Sequence, residues 1–420
     1  MAARNLAQAQ SKARIRTNKK VSEISVSDLA RVGPGTPAGE WLRRYWLVVG
    51  TTEGLRDIPV GVKVLGEELV LFRDLNGRTG LVGLHCPHRG SSLEYGEIEA
   101  SGIRCPYHAW LFDVAGNCLE QPAEPKDSQF YNKVKHLSYP VRQQGGLIFA
   151  YLGPDQADPP PLPNYSPLVG NGGQRYVESI RHYDYNWFNF IENGVDPVHF
   201  SVLHRSDPGD GTWRSWFFNR HDIPYFDAVE TDYGVKVISR KPGPTADTEY
   251  VDEKSVALPG ILQIGDLEFT HFHKPPSALA EGTHIQHIMF ITPNDDDHFM
   301  LFTADYYTGP DPDFFPKLAA TRPPPPEEKK KDYDHRKHMP FRGSVRHEDI
   351  MTQGTQGPID QRDEHLAASD RGVILLRKRI VNAMKTVQRG GLPEGVLTQE
   401  QAGAVVKIDS FTGIRAKGVL

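Results

Sequence analysis

Two short segments, Cys86-Pro87-His88-Arg89-Gly90 and Cys105-Pro106-Tyr107-His108-Ala109-Trp110, constrain this chain more than any other feature. Together they read C-x-H-x16-C-x2-H, so each segment offers one thiol and one imidazole. Thiolates and imidazoles are strong ligands for soft and borderline metals, and two such pairs in two tight turns can converge on one centre. A zinc ribbon normally places its cysteines in the same knuckle. Here each loop contributes one of each type, which fits a [2Fe-2S] cluster with both cysteines on one iron and both histidines on the other. Neutral imidazoles leave such a cluster less negative than four thiolates would, which raises its potential to about −150 to +300 mV. A zinc site is the alternative. His85 and Cys118 lie outside the pattern and read as packing or hydrogen-bonding residues.

Three cysteines in 420 residues cannot make a disulfide framework, and the odd count favours a reducing compartment, the cytoplasm. No run of eighteen or more apolar residues exists, so no membrane span is expected. A net charge of −5 gives no electrostatic reason to expect nucleic acid. The length exceeds what one hydrophobic core usually serves, and two proline-rich stretches, Asp158 to Pro163 and Pro323 to Lys331, exclude regular structure. The expected layout is a flexible basic tail over residues 1–25, an all-β module over 26–157, a linker over 158–165, and an α+β domain over 166–420 with an insertion at about 322–335. Short runs such as Tyr45 to Val49, Glu68 to Arg73 and Gly146 to Tyr151 supply the β module. Further strands are expected at Gly234 to Ser239, Gly260 to Phe272 and His284 to Thr292, with a helix-like segment near Tyr185 to His204. A long helix is expected over Glu364 to Gln388, stopped by Gly390 and Gly391.

A second constellation occupies the helix-like segment: Asn189, Glu192, Asn193, Asp196, His199 and His204 read N-x2-E-N-x2-D-x2-H-x4-H. The spacing of three and four from Asn189 to His199 would align these polar groups on one helical face, among Trp187, Phe188, Phe190, Ile191, Val198 and Phe200. Gly194 and Asp196-Pro197 can instead end one helix and begin another, with Asp196 as a cap. Two histidines and a remote carboxylate would make the 2-His-1-carboxylate site of non-haem Fe(II) oxygenases. Asp370 is the expected third ligand, because it interrupts the apolar stripe Leu366, Val373, Ile374, Ile380, Val381, Met384, where an ionised carboxylate needs a cation. Its alternative role is in the first turn of a helix. Asp360 and Asp363 read as helix-start residues, and Asp349 sits where periodicity offers no guide.

The two clusters in this order, with Gln353-Gly354-Thr355-Gln356-Gly357-Pro358 downstream and Gly33-Pro34-Gly35-Thr36-Pro37 and Arg43-Arg44-Tyr45-Trp46 near the start, resemble the oxygenase (alpha) component of Rieske non-haem iron aromatic ring-hydroxylating oxygenases. The similarity is to the phthalate-dioxygenase-like branch and covers roughly residues 25 to 400. One departure is Ala109, where the family more often has glycine, so the turn after His108 is expected to differ slightly in backbone geometry. The resemblance implies an α+β chain with an N-terminal all-β Rieske domain and a catalytic helix-grip-like domain built on an antiparallel sheet. It implies a [2Fe-2S] cluster on Cys86, His88, Cys105 and His108, and a mononuclear iron on His199, His204 and Asp370. Asp196 and Asn193 are its candidate catalytic residues, Asp196 bridging His199 to His108 of a neighbour in a homotrimer.

The resemblance also implies dioxygen as co-substrate and electrons from NADH through a separate reductase carrying FMN and a [2Fe-2S] centre. No G-x-G-x-x-G in a strand-turn-helix context offers this chain a dinucleotide site of its own. The expected reaction is cis-dihydroxylation of an aromatic carboxylate, with monooxygenation or O-demethylation of a methoxy-aromatic acid as the alternative. A pure electron carrier and a zinc-stabilised binding module are the remaining readings. An aromatic carboxylate calls for a buried cation, for which Arg205 and Arg240 are candidates. His271 and His273 alternate on one expected strand face and read as pocket lining or packing, with another metal site as the alternative.

Overall fold

A computed structural model of the chain describes residues 23–204, 223–265, 284–321 and 345–418. Arg205, His271, His273, the second proline-rich stretch and residues 1–22 lie outside them. In the N-terminal part the alternating runs become strands β1 (Trp46–Thr51), β2 (Val60–Val64), β3 (Glu67–Arg73), β4 (Thr79–Gly83), β5 (Glu97–Glu99), β6 (Gly102–Arg104), β7 (Leu111–Phe112), β8 (Cys118–Glu120), β9 (Ser138–Tyr139), β10 (Val141–Gln144) and β11 (Leu147–Tyr151). They pair as three small antiparallel sheets ordered β1-β11-β10, β2-β3-β4-β9 and β5-β6-β7-β8. A separate apolar cluster of Val70, Phe72, Val82, Leu93, Ile103, Trp110 and Phe112 underlies Cys86 and Cys105. Both cysteine loops therefore stand on one rigid platform.

Beyond the first proline stretch, a short strand β12 (Asn164–Tyr165) precedes β13 (Gln174–Tyr183), β14 (Tyr225–Glu230), β15 (Gly234–Pro242), β16 (Thr248–Ala257), β17 (Ile261–Ile264), β18 (His284–Pro293), β19 (Phe299–Thr308), β20 (Val405–Val406) and β21 (Phe411–Ala416). The large sheet runs β13-β19-β18-β17-β16-β15-β14, with β21 also pairing along β16. Its pairings are all antiparallel. β19 is buried along nearly its whole length, as expected of a strand covered on both faces. The architecture is α+β, as the sequence led us to expect.

Among the described residues the α-helices are α1 (Pro37–Leu42), α2 (Ser166–Val169), α3 (Trp187–Asn193), α4 (Val198–Val202), α5 (Phe314–Thr321), α6 (Val345–Thr355) and α7 (Arg371–Gln388). The expected helix near Tyr185 to His204 is two helices, because Asp196-Pro197 starts a new turn after α3 ends at Gly194. The long helix begins at Arg371, not Glu364, since residues 359–361 and 368–370 form separate 3-10 turns. On α7, Val373, Leu376, Ile380, Ala383, Met384 and Val387 are buried at intervals of three and four, which is the stripe that docks it on the sheet. At its end Gly390 (φ 80°) donates to the Val387 carbonyl and Gly391 to that of Thr386, a paired closure that needs the left-handed backbone of Gly390.

The two halves share one core. Trp41 of α1 packs on Trp187 of α3 with ring centroids 6.4 Å apart, and Phe149 of β11 meets Phe290 of β18 at 5.6 Å. Backbone N–H groups of Leu65 and Gly66 donate to the carbonyls of Pro293 (2.9 Å) and Asn294 (2.7 Å), which fixes the β module against the β18–β19 turn. Among the described residues no helix is long and apolar enough to cross a membrane.

Candidate metal centres

The two cysteine loops have the same backbone wiring. Cys86 N–H donates to the Ser91 carbonyl (2.9 Å), and Gly90 N–H returns to the Cys86 carbonyl (2.8 Å). Cys105 N–H donates to Trp110 (2.8 Å), and Ala109 N–H returns to Cys105 (3.1 Å). In each loop the residue four after the cysteine is left-handed: Gly90 at φ 76° and Ala109 at φ 59°. The expected change in turn geometry at Ala109 is thus absent. The backbone keeps the glycine-like conformation, and the methyl group carries the steric cost, about 1–2 kcal/mol. Arg104, which sequence reasoning passed over, secures this turn. Its guanidinium donates to the Ala109 carbonyl (2.6 Å) and is paired with Glu99 and with Glu120 (2.7 Å).

Cys86 and Cys105 are buried free thiols. Burial, reinforced by the adjacent Cys105, pushes the Cys86 thiol up to about 12, so two thiolates here call for a bound cation. The His88 and His108 rings approach to 4.5 Å at 71°, and His88 is stacked on Trp110 at 4.4 Å. His88 is exposed and His108 partly so. Desolvation, with the charges of His88 and Arg89, holds His108 below the usual histidine range and so favours its neutral, ligating form. Two thiols facing inward and two imidazoles facing outward suit a [2Fe-2S] group with one histidine-ligated iron near the surface.

The second centre assembles on α4, just beyond its end, and on one turn of α6. The ring nitrogens of His199 and His204 and a carboxylate oxygen of Asp349 all lie within 4.8 Å of one another. Asp349 Oδ1 is 3.8 Å from His199 Nε2 and 3.5 Å from His204 Nε2. Both Nε2 atoms are buried without a hydrogen-bond partner, an arrangement costly for imidazoles unless a cation occupies the space between them. Three converging N, N and O donors with open positions are the set a non-haem Fe(II) takes. His204 Nδ1 is 2.9 Å from Glu348 Oε2. Although burial opposes the charged ring, Asp349 and Glu348 hold His204 above the usual histidine range. Asn193 Nδ2 donates to Asp349 Oδ1 at 3.4 Å.

Asp196 combines both roles read from its sequence context. Its Oδ1 accepts the Val198 N–H (3.0 Å), a cap on α4, while Oδ2 lies 3.7 Å from His199 Nδ1. Desolvation opposes its ionisation, yet His199 and the Val198 and His199 amides hold the carboxyl below its ordinary range.

Asp370 is not part of this constellation, and the expectation that it supplies the carboxylate is corrected. Its Oδ2 accepts the Ala367 N–H (2.7 Å) and closes the turn ahead of α7. The helical phase starts only at Arg371 and Leu366 is exposed, so the apolar stripe that implied a buried position does not reach Asp370. Asp349 takes the place instead. Docking of α6 alone reveals this, since Glu348, Asp349 and Gln353 are polar residues that no hydropathy pattern assigns to an interior.

The expected single polar face is also corrected. Because the chain turns at Gly194, Asn189 and Glu192 point elsewhere: Asn189 Nδ2 donates to the Gln353 carbonyl (3.0 Å), and Glu192 pairs with Arg377 and, at 3.7 Å, with Arg362. This network joins α3 to α6 and α7.

Of the two cations expected for substrate, Arg240 is 3.8 Å from Glu249 and pairs in register with Val251, whereas Lys254 pairs with Val237. Alternation then puts Arg240 and Lys254 on opposite sheet faces. Lys254 was not foreseen. It is buried, paired with Asp252 (2.8 Å), and its Nζ sits 3.0 Å above the centroid of Phe200, the residue following His199. Desolvation lowers its pKa against the opposing pull of Asp252, Asp349 and Asp196.

Comparison with known proteins accords with this geometry. Residues 45–140 match the Rieske [2Fe-2S] domain family. The chain is 34% identical to the phenoxybenzoate dioxygenase subunit alpha of Ectopseudomonas oleovorans, over 91% of this chain and 90% of that protein. It is 31% identical to the phthalate 4,5-dioxygenase oxygenase subunit of Pseudomonas putida (93% and 92%) and 33% identical to the 5,5'-dehydrodivanillate O-demethylase oxygenase subunit of a Sphingobium species (88% and 82%). Its fold matches that of NdmA of Pseudomonas putida CBB5, solved with caffeine, at TM-score 0.61 and 20% identity over 84% of this chain and 94% of that one. Dicamba monooxygenase bound to dicamba matches at TM-score 0.59 and 18% identity over 83% and 99%. With a cysteine and histidine pair on each of two matched loops and relatives that span nine-tenths of its length, the chain belongs to the Rieske non-haem iron aromatic ring-hydroxylating oxygenases, as an oxygenase (alpha) subunit of the phthalate-dioxygenase-like kind.

Proposed function

We propose that this subunit oxygenates an aromatic carboxylate of the phthalate or benzoate type, holding a [2Fe-2S] cluster on Cys86, His88, Cys105 and His108 and an iron on His199, His204 and Asp349. When bound, the cluster stores single electrons and the iron provides the site for dioxygen activation. The observation that carries the reading is the convergence of two unpartnered, buried imidazole nitrogens on the Asp349 carboxylate. Around it, Phe200 covers His199 and His204, with ring centroids at 4.2 and 5.1 Å, and keeps bulk water from that side.

Electron transfer between the centres is assigned to contact between copies of the chain in a homotrimer. His88 and His108 lie at the accessible end of one centre, and Asp196 stands beside His199 with about a third of its side chain (35%) exposed. Asp196 can therefore accept a hydrogen bond from His108 of a neighbour while remaining next to His199. Asn193 orients Asp349 on the inner side of the same turn. Electrons come from NADH through a separate FMN and [2Fe-2S] reductase.

The names of two relatives, a phenoxybenzoate and a phthalate dioxygenase, favour cis-dihydroxylation, and that of a third, an O-demethylase, keeps demethylation of a methoxy-aromatic acid as the second reading. Purified subunit with a reconstituted reductase, NADH and a panel of benzoates, phthalates and methoxybenzoates tests this. A dihydrodiol by mass spectrometry supports the first reading, and a phenol with formaldehyde the second. NADH oxidation without product on any aromatic acid would overturn both.

A further inference from the structure

We infer that Glu348 is a positioning residue that presets the His204 ring for metal binding, an inference that rests on the iron site proposed above. The two histidines of that site are held differently. His204 has no exposed side-chain surface, and its Nδ1 lies 2.9 Å from the Glu348 carboxylate, itself only 5% exposed. A carboxylate accepts but does not donate, so in the neutral ring, the form that binds metal, Nδ1 keeps the proton and the lone pair is left on Nε2. That nitrogen is the one without a partner, facing Asp349 Oδ1 at 3.5 Å. His199 lacks such a fix: its Nδ1 is 3.7 Å from Asp196, beyond hydrogen-bond range, and both its ring nitrogens are unpartnered. One imidazole is thus locked in tautomer and orientation before metal arrives, and the other is free to adjust.

The lock is built into α6. Glu348 and Asp349 are consecutive, so one turn presents a carboxylate to the metal position and a second to the far nitrogen of the histidine across from it. Glu348 adds no donor atom to the metal set; it acts through His204. The Glu348 carboxylate also makes the ring a better electron donor at Nε2, as carboxylates hydrogen-bonded to metal-ligating histidines do.

The test uses the full chain with its cluster in place, titrated anaerobically with Fe(II) against a competing chelator, the cluster absorbance reporting on folding. Losing an outer partner of this kind weakens metal binding about 10–100-fold, which is the effect expected for Glu348→Ala. Glu348→Gln, which keeps a carbonyl acceptor without the charge, should recover part of it. Glu348→Ala binding Fe(II) as tightly as the unaltered chain, while His199→Ala loses it, would overturn the inference and spare the site. Retention of Fe(II) by His199→Ala as well would overturn the site itself. Should the Glu348 variants not fold, ¹⁵N spectra of histidine in the metal-free, unaltered chain decide. At a pH where the His204 ring is neutral, a proton on Nδ1 supports the preset ring, and one on Nε2 refutes it.

Discussion

Asp349 Oδ1 stands 3.5 Å from His204 Nε2, bringing α6 against the start of the loop that follows α4. Replacing Asp349 with alanine removes a donor atom, not an outer partner. Iron affinity at the second centre should therefore fall by more than about 100-fold, with turnover lost and the cluster spectrum intact. Asp370→Ala removes the contacts to the Ala367 amide and, at 3.5 Å, the Ser369 hydroxyl, costs about 1 kcal/mol, and keeps its iron. Iron content of the two variants, normalised to cluster absorbance, distinguishes these roles; equal iron in both would remove Asp349 from the ligand set.

Ala109 is a left-handed non-glycine residue in a turn otherwise matched by Gly90. Ala109→Gly relieves the Cβ strain of about 1–2 kcal/mol but adds unfolded-state freedom, so the net gain should be about 0.5–1 kcal/mol. Thermal loss of the cluster absorbance reads it. A lower melting temperature would show that the turn gains nothing from relief.

Gly372 lies where the first turn of α7 touches the chain just before Asp196. A Cβ there would meet the Val195 carbonyl oxygen at 2.1 Å. Gly372→Ala should cost about 1–3 kcal/mol despite its better helix propensity, because backbone must move. The shift falls on Val195-Asp196, so turnover should drop more than cluster loading does, measured as NADH oxidation per cluster.

The Lys63–Asp295 pair (2.8 Å) links the β module to the large sheet and sets an acid-side dependence. Burial opposes ionisation of Asp295, but Lys63, the Asp297 amide and His298 bring its carboxyl down to about 2. That value lies below the roughly 3.9 of an unfolded aspartate, so the contribution is full above about pH 5 and fades as pH falls towards the folded value. Lys63 is raised above its ordinary value by Asp295, so its own share persists through neutral pH and is lost only as pH rises past the lysine range. Both side chains are partly exposed, which limits the pair to about 0.2–1 kcal/mol. The stability gap between the unaltered chain and Asp295→Asn, followed by denaturant melts, should narrow from pH 5 to pH 2. A gap that stays constant would assign the effect to packing.

What the sequence determined by itself was local. Cys86 with His88 and Cys105 with His108 sit within three residues of each other, so each tight loop holds its own pair and motif spacing suffices to read them. The end of α7 at Gly390-Gly391 and the break at Asp196-Pro197 were legible for the same reason, since caps and turns act over a few residues. Tertiary structure decided the third donor at the second centre. A carboxylate becomes a ligand only when its helix docks beside the histidines, and Asp349 lies on a polar segment that packs on α3 and meets His204, not one marked by its own periodicity. The same holds for Lys254, which sheet register turns toward Phe200, and for Asn189 and Glu192, which the bend at Gly194 turns away. Short-range backbone chemistry writes itself into spacing; the meeting of distant charges depends on which surfaces pack together, and that is a property of the folded chain.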